Sequence, residues 1–121
     1  MAKKILIVDD NPADLEAVAA IVASAGYAVE RATDGEKGVE AARALRPDLV
    51  IMDVVMPGIN GFQACKMITR DPQTSSIPVV ICSNKQQETD KAWGVKNGAK
   101  HYFVKPADPA ELKAKLKELL G

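Results

Sequence analysis

The sequence predicts an α/β fold, a doubly wound parallel sheet of five strands with helices on both faces. Three observations predict it. Short apolar runs alternate with longer helical stretches five times along 121 residues. Two of the runs, Ile5-Leu6-Ile7-Val8 and Leu49-Val50-Ile51-Met52, are apolar at every position, as in strands covered on both faces. Strand and helix signals follow one another in strict alternation, the order that builds a parallel sheet from right-handed crossovers.

Each element has its own signal. Ile5–Val8 is the first strand. Asn11-Pro12 then opens a helix, with Asn11 as N-cap and Pro12 in the first turn; Leu15, Val18, Ile21 and Val22 recur at helical spacing, and Gly26 ends it. Tyr27 to Ala32 reads as the second strand. Asp34 caps a second helix that runs to about Leu45 and stops at Pro47. Leu49–Met52 is the third strand. Pro57-Gly58-Ile59-Asn60-Gly61 is a turn-rich loop, and a third helix spans about Phe62 to Arg70. Pro78 precedes the fourth strand, Val79 to Cys82. Glu88 to Asn97 forms a fourth helix, with Gly98 as its stop. Tyr102-Phe103-Val104 is the fifth strand. Asp108-Pro109-Ala110-Glu111 starts the last helix, whose buried face comes from Leu112, Leu116, Leu119 and Leu120.

The length predicts one domain over residues 1–121, with no output domain beside it. Apolar residues make up 47% and charged residues 26%, the globular range. Sixteen Lys and Arg balance sixteen Asp and Glu, which speaks against a nucleic-acid binder using a broad basic field and against a polybasic membrane anchor. The longest apolar run, Ala17 to Ala23, falls far short of the roughly 18 residues of a membrane span. Lys3 and Lys4 precede only four apolar residues before Asp9, so no signal-peptide core follows them. Cys65 and Cys82 lack CxxC spacing and read as small buried hydrophobes in a reducing compartment. The expected location is cytoplasmic.

In a doubly wound sheet, ligands bind outside the carboxyl ends of the strands. Asp9 and Asp10 follow the first strand, Asp53 the third, Ser83 the fourth and Lys105 the fifth. At about 4 Å and an effective dielectric near 20, each pair of like charges there costs roughly 4 kcal/mol. A hard divalent cation relieves that cost, and Mg²⁺ favours one or two carboxylates together with phosphate oxygens. A metal, a lysine and a hydroxyl around one aspartate make a phosphoryl-transfer geometry, in which Asp53 acts as nucleophile and becomes an aspartyl phosphate.

Asp9-Asp10, Asp53 followed by Met56-Pro57-Gly58 and Gly61, then Ser83, then Lys105-Pro106, each at a strand end, together resemble the receiver domain of bacterial response regulators. The likeness runs from Lys4 to Leu120. It implies the CheY-like, flavodoxin-like strand order 2-1-3-4-5. It implies Asp53 as phosphoacceptor and Asp9 and Asp10 as the acidic pair that holds Mg²⁺. The backbone carbonyl of Val55 would complete the metal site. Ser83 would be the switch hydroxyl and Lys105 the lysine that pairs with the phosphoryl group. Tyr102 would be the aromatic switch residue, and Lys105–Pro106 a bond commonly cis in the family. Catalytic work by Asp53, Ser83 and Lys105 would be confined to self-phosphorylation and autodephosphorylation. The implied partners are a CheA-like histidine kinase as donor and a downstream protein bound by the face of the fourth helix, fifth strand and fifth helix, the chain being a monomer or weak dimer.

The chain departs from the family pattern at Asn84, where a smaller residue is common after the switch hydroxyl. Val55 and Lys85 occupy positions that tune phosphoryl lifetime, and an apolar Val55 cannot orient an attacking water, which predicts a longer-lived phosphoryl group. Within the family, Val54 to Ala64 and Gln87 to Gly94 resemble the stand-alone receivers of chemotaxis-like systems that control type IV pilus twitching.

The same residues bear on other functions. A haloacid-dehalogenase-like phosphatase needs a general acid two residues after its nucleophile, where Val55 stands. A flavin domain needs a Ser/Thr/Gly-rich loop where Asp9-Asp10 stands. A scaffold that ignores phosphorylation, or a phosphate sink, remains as the alternative. Tyr102 also fits a half-buried structural tyrosine, and Trp93 divides evenly between packing and a partner anchor. His101 reads as structural. Lys113, Lys115 and Lys117, on a helix with Glu111 and Glu118, read as a solvated face.

Overall fold

Alternation within each strand decides which helix covers which face. The computed structural model describes residues 2–121. Its strands are β1 (Lys4–Val8), β2 (Ala28–Ala32), β3 (Leu49–Met52), β4 (Val79–Ser83) and β5 (His101–Val104). They form one sheet in the order β2-β1-β3-β4-β5, every neighbouring pair parallel. The intervening helices are α1 (Pro12–Ser24), α2 (Gly35–Leu45), α3 (Gly61–Arg70), α4 (Glu88–Lys96) and α5 (Pro109–Leu120). Successive strand residues point to opposite faces. Ile5 and Ile7 of β1, with Leu49 and Ile51 of β3, therefore meet Leu15, Val18 and Val22 of α1 and Leu112 and Leu116 of α5. Leu6, Val8, Val50 and Met52 face the other way, onto Val39 and Ala42 of α2 and Phe62, Cys65 and Ile68 of α3. This is why β1 and β3 are apolar at consecutive positions. Each such fully buried Leu or Ile contributes about 1.5–3 kcal/mol.

The helix starts are fastened by side chains. Asn11 Oδ1 accepts the Asp14 N–H at 3.1 Å, Asp34 accepts that of Lys37 at 2.8 Å, and Asp108 accepts those of Ala110 and Glu111 at 2.8 and 3.3 Å. A cap of this kind is worth about 1 kcal/mol.

The boundaries differ from the sequence expectation in small, explicable ways. Tyr27 lies outside β2, because its N–H turns back to the Val22 carbonyl at the end of α1. Helix α3 starts at Gly61, one residue early, because Asn60 and Gln63 exchange backbone N–H bonds at 2.9 Å in a capping box. Arg46, left-handed at φ 46°, closes α2 one residue before Pro47. Asn97 is the C-cap of α4 and lies just outside it. Strands β4 and β5 each gain a residue, Ser83 and His101. On α5, Leu112 and Leu116 are fully buried but Leu119 and Leu120 only half so.

Candidate functional site

The sheet's own hydrogen bonds run one residue past the strands and hold the site. The Asp9 N–H donates to the Ala32 carbonyl at 3.1 Å, that of Asp53 to Val8 at 2.9 Å, and that of Lys105 to Ser83 at 2.8 Å. Val8 and Met52 are register partners, so Asp9 and Asp53 emerge side by side. Behind Asp53 the chain is pinned by Gly61, whose N–H donates to the Val54 carbonyl at 2.9 Å. A Cβ on Gly61 would overlap the Asp53 carbonyl oxygen, so only glycine lets α3 begin this close to the loop.

Asp9, Asp10 and Asp53 each present a carboxylate oxygen within 4.8 Å of the others. Asp9 and Asp53 are buried and Asp10 is exposed. The Lys105 ammonium sits against this group with its side chain only 8% exposed. It donates to Asp9 Oδ2 at 2.7 Å and to Asp14 Oδ2 at 2.9 Å, and stands 3.4 Å from Asp53 Oδ1. Burial alone would lower the lysine pKa, but its bonds to Asp9 and Asp14 hold it above its ordinary range. Asp53 moves up to about 6, chiefly through burial and then through the neighbouring Asp9 charge; Lys105 opposes the shift only in part. A buried carboxylate that remains hard to ionise despite a lysine beside it is short of positive charge. Three hard oxygen donors short of positive charge match the preferences of Mg²⁺.

Above these groups lies a cleft of about 340 Å³, bounded also by Val55, Ser83 and Asn84. Val55 is 61% exposed at its rim. Ser83 is fully buried, and its Oγ accepts the Lys85 N–H at 3.2 Å. The Tyr102 hydroxyl donates to the Lys85 carbonyl at 2.7 Å. One peptide segment thus binds both residues expected to switch. Gly94 of α4 sits over the Tyr102 ring and Ile81, where a Cβ would be 3.1–3.2 Å from both, so the glycine lets α4 close on the ring. The Lys105–Pro106 bond is cis.

Of the residues assigned to the site from sequence, Asp9, Asp10, Asp53, Val55, Ser83 and Lys105 meet around this cleft, and the Tyr102 hydroxyl is tied to them through the Lys85 carbonyl. One contributor was missed, and two were named without the contacts they make. Asp14 reads in sequence as a first-turn helix acid, yet it shares Lys105. The backbone of Lys85 and the tight approach at Gly61 leave no side-chain signature beyond a glycine in a turn. The bland assignments stand where the structure reaches them. Cys65 and Cys82 are buried free thiols, pushed by burial up to about 12 and about 11. His101 packs edge-on against Phe103 at 4.5 Å between ring centres. Lys115 pairs with Glu118 at 2.9 Å, and Lys113 and Lys117 are exposed. Trp93 is 49% exposed beneath the Lys96 ammonium, 5.1 Å from its ring.

Comparison with known proteins decides the family. The model of the response regulator receiver domain matches residues 5–117. The chain is a response regulator receiver domain. This receiver is 49% identical over 109 residues to protein PilH of Pseudomonas aeruginosa, covering 90% of each chain. It is 40% identical over 117 residues to the DNA-binding dual master transcriptional regulator RpaA of Synechocystis, covering 97% of this receiver but 48% of that protein. It therefore spans most of PilH and about half of RpaA. Among solved structures, chemotaxis protein CheY4 of Vibrio cholerae superposes with a TM-score of 0.90 at 32% identity, covering 99% of this receiver and 100% of that chain. The receiver domain of the sensor histidine kinase PA1611 of P. aeruginosa, solved with a magnesium ion coordinated in its active site cleft, superposes with a TM-score of 0.91 at 28% identity, covering 100% and 99%. No described helix of this receiver is long and apolar enough to cross a membrane.

Proposed function

We propose that this receiver takes a phosphoryl group from a histidine kinase onto Asp53 and uses it to change which protein it binds, in cytoplasmic signalling that controls pilus-driven motility. One observation carries the reading: the buried Asp53 carboxylate, between Asp9 and the Lys105 ammonium at 3.4 Å, opens onto a cleft roomy enough for a phosphoryl group. Asp9, Asp10, Asp53 and the Val55 backbone carbonyl would hold Mg²⁺, which supplies neutralisation of the incoming phosphoryl charge. An Asp53 oxygen attacks the phosphorus of a phosphohistidine. The P–N bond breaks as the P–O bond forms, and the imidazole, already protonated on its other ring nitrogen, leaves neutral. Lys105 pairs with one phosphoryl oxygen.

Ser83 Oγ then turns to another phosphoryl oxygen and leaves the Lys85 N–H. With that segment freed, the Tyr102 hydroxyl loses its anchor on the Lys85 carbonyl and the ring moves inward, changing the surface of α4, β5 and α5. That face binds the downstream protein. Asp53 loses its phosphoryl group by slow hydrolysis within the same cleft, so the receiver catalyses its own phosphorylation and dephosphorylation rather than turnover of a free substrate. The likeness to PilH supports the motility assignment.

Phosphoramidate, a small phosphohistidine mimic, tests the reading on a phosphate-affinity gel. A slower band should appear with Mg²⁺ and vanish with EDTA. An equal band without Mg²⁺ would contradict the metal's part, and no band under either condition would contradict acceptor chemistry.

A further inference from the structure

Lys105 has three N–H donors and faces three carboxylates. Two of them, Asp9 at 2.7 Å and Asp14 at 2.9 Å, accept its hydrogen bonds, while Asp53 stands off at 3.4 Å. Asp14 is not one of the three acids that cluster as potential cation ligands. It reaches Lys105 from the first turn of α1, where the Asn11 side chain bonds its N–H at 3.1 Å and fixes the turn. A carboxylate is favoured in a helix's first turn, so its charge is at home there. Its own side chain is 38% exposed, whereas Lys105 is buried. It also borders the cleft in which a phosphoryl group on Asp53 would lie.

We infer that Asp14 is a positioning residue that latches Lys105 in the unphosphorylated state and opposes the phosphorylated one. This rests on Asp53 being the acceptor. Two effects act in the same direction. A Lys105 bond held by Asp14 is a bond withheld from the phosphoryl oxygens. The Asp14 carboxylate also places a negative charge beside a cleft that must accept a group carrying about two. The latch sets how much of the receiver is switched at a given supply of phosphoryl donor, and it ties the resting position of Lys105 to helix α1.

The test compares wild type, Asp14→Asn and Asp14→Glu, using beryllofluoride as the phosphoryl mimic at saturating Mg²⁺, with affinity and the lysine ¹⁵Nζ resonances read by NMR. Removing one charge-assisted acceptor should tighten beryllofluoride about 5- to 10-fold in Asp14→Asn. Asp14→Glu, which keeps the charge, should stay within about twofold of wild type. The Lys105 resonance should move on beryllofluoride addition in wild type, and in Asp14→Asn should be displaced toward that position beforehand. Unchanged or weaker affinity in Asp14→Asn, or a Glu variant that behaves like Asn, would overturn the latch while leaving the acceptor assignment intact. A wild type that takes up no beryllofluoride would overturn the acceptor reading and the latch with it.

Discussion

Replacing Asp53 with Asn should stabilise the metal-free protein, and the gain should depend on pH in a defined way. The Asp53 carboxyl is pushed from the ordinary 3.8 to about 6 by burial and by Asp9. Its folded-state pKa is raised, so below about pH 4 the carboxyl is protonated in both states and costs nothing. Between about 4 and 6 the unfolded chain ionises first, and stability falls as pH rises. Above 6 the cost is complete. At about 1.4 kcal/mol per pH unit, the interval corresponds to at most about 3 kcal/mol. Asparagine carries no such charge, so Asp53→Asn should be about 2–3 kcal/mol more stable than wild type at pH 8 in EDTA, and about equal to it near pH 4. Urea unfolding at four pH values, with m-values checked for constancy, measures this directly. A gain that is the same at every pH, or a variant less stable than wild type at pH 8, would refute the claim that Asp53 ionises against an opposing environment.

Other outcomes follow from the same geometry. On the proposed reading Mg²⁺ is held by the folded state alone, so it should raise the unfolding midpoint of wild type in proportion to the logarithm of its concentration; Asp53→Asn, lacking one of the proposed ligand charges, should respond less in the same melts. Lys105→Met leaves Asp9 and Asp53 buried without their cation and should destabilise the metal-free protein by about 3–5 kcal/mol, a loss that Mg²⁺ partly restores and denaturant titration reads. Gly61→Ala forces a methyl group into the Asp53 carbonyl. It should cost at least about 2 kcal/mol in urea unfolding and weaken Mg²⁺ binding, while Gly26→Ala, with open space around its Cβ, should leave Mg²⁺ binding unchanged.

The parts of this receiver that were legible in the sequence are those written in side-chain chemistry at regular spacing. The five strands, their parallel pairing and the caps Asn11, Asp34 and Asp108 follow from the alternation of apolar runs with helices and from the few side chains able to bond a helix's free N–H groups, while the strand order came from the family resemblance. The meeting of Asp9, Asp53, Ser83 and Lys105 follows too, because each stands immediately past or at the end of a strand, and parallel strands end on one edge. Asp14 escaped because a first-turn acid has a sufficient local explanation, and nothing in its spacing reveals a lysine 91 residues away. Gly61 was legible as a turn and motif glycine, but the reason it must be glycine was not, since a forbidden overlap with Asp53 exists only once α3 has docked. The Lys85 link between Ser83 and Tyr102 is made by peptide groups that every residue carries. Boundaries shifted where capping outcompeted periodicity, as Asn60 and Gln63 do at the start of α3.

On the proposed reading Asp53 becomes an acyl phosphate. Incubation with acetyl phosphate and Mg²⁺, followed by borohydride reduction and peptide mass spectrometry, reads this out at the residue, because borohydride converts an aspartyl phosphate to homoserine. One phosphoryl adduct should appear on the intact chain and homoserine at position 53, and neither in Asp53→Asn. An adduct that persists in Asp53→Asn, or a folded, Mg²⁺-bound wild type that takes none, would contradict it.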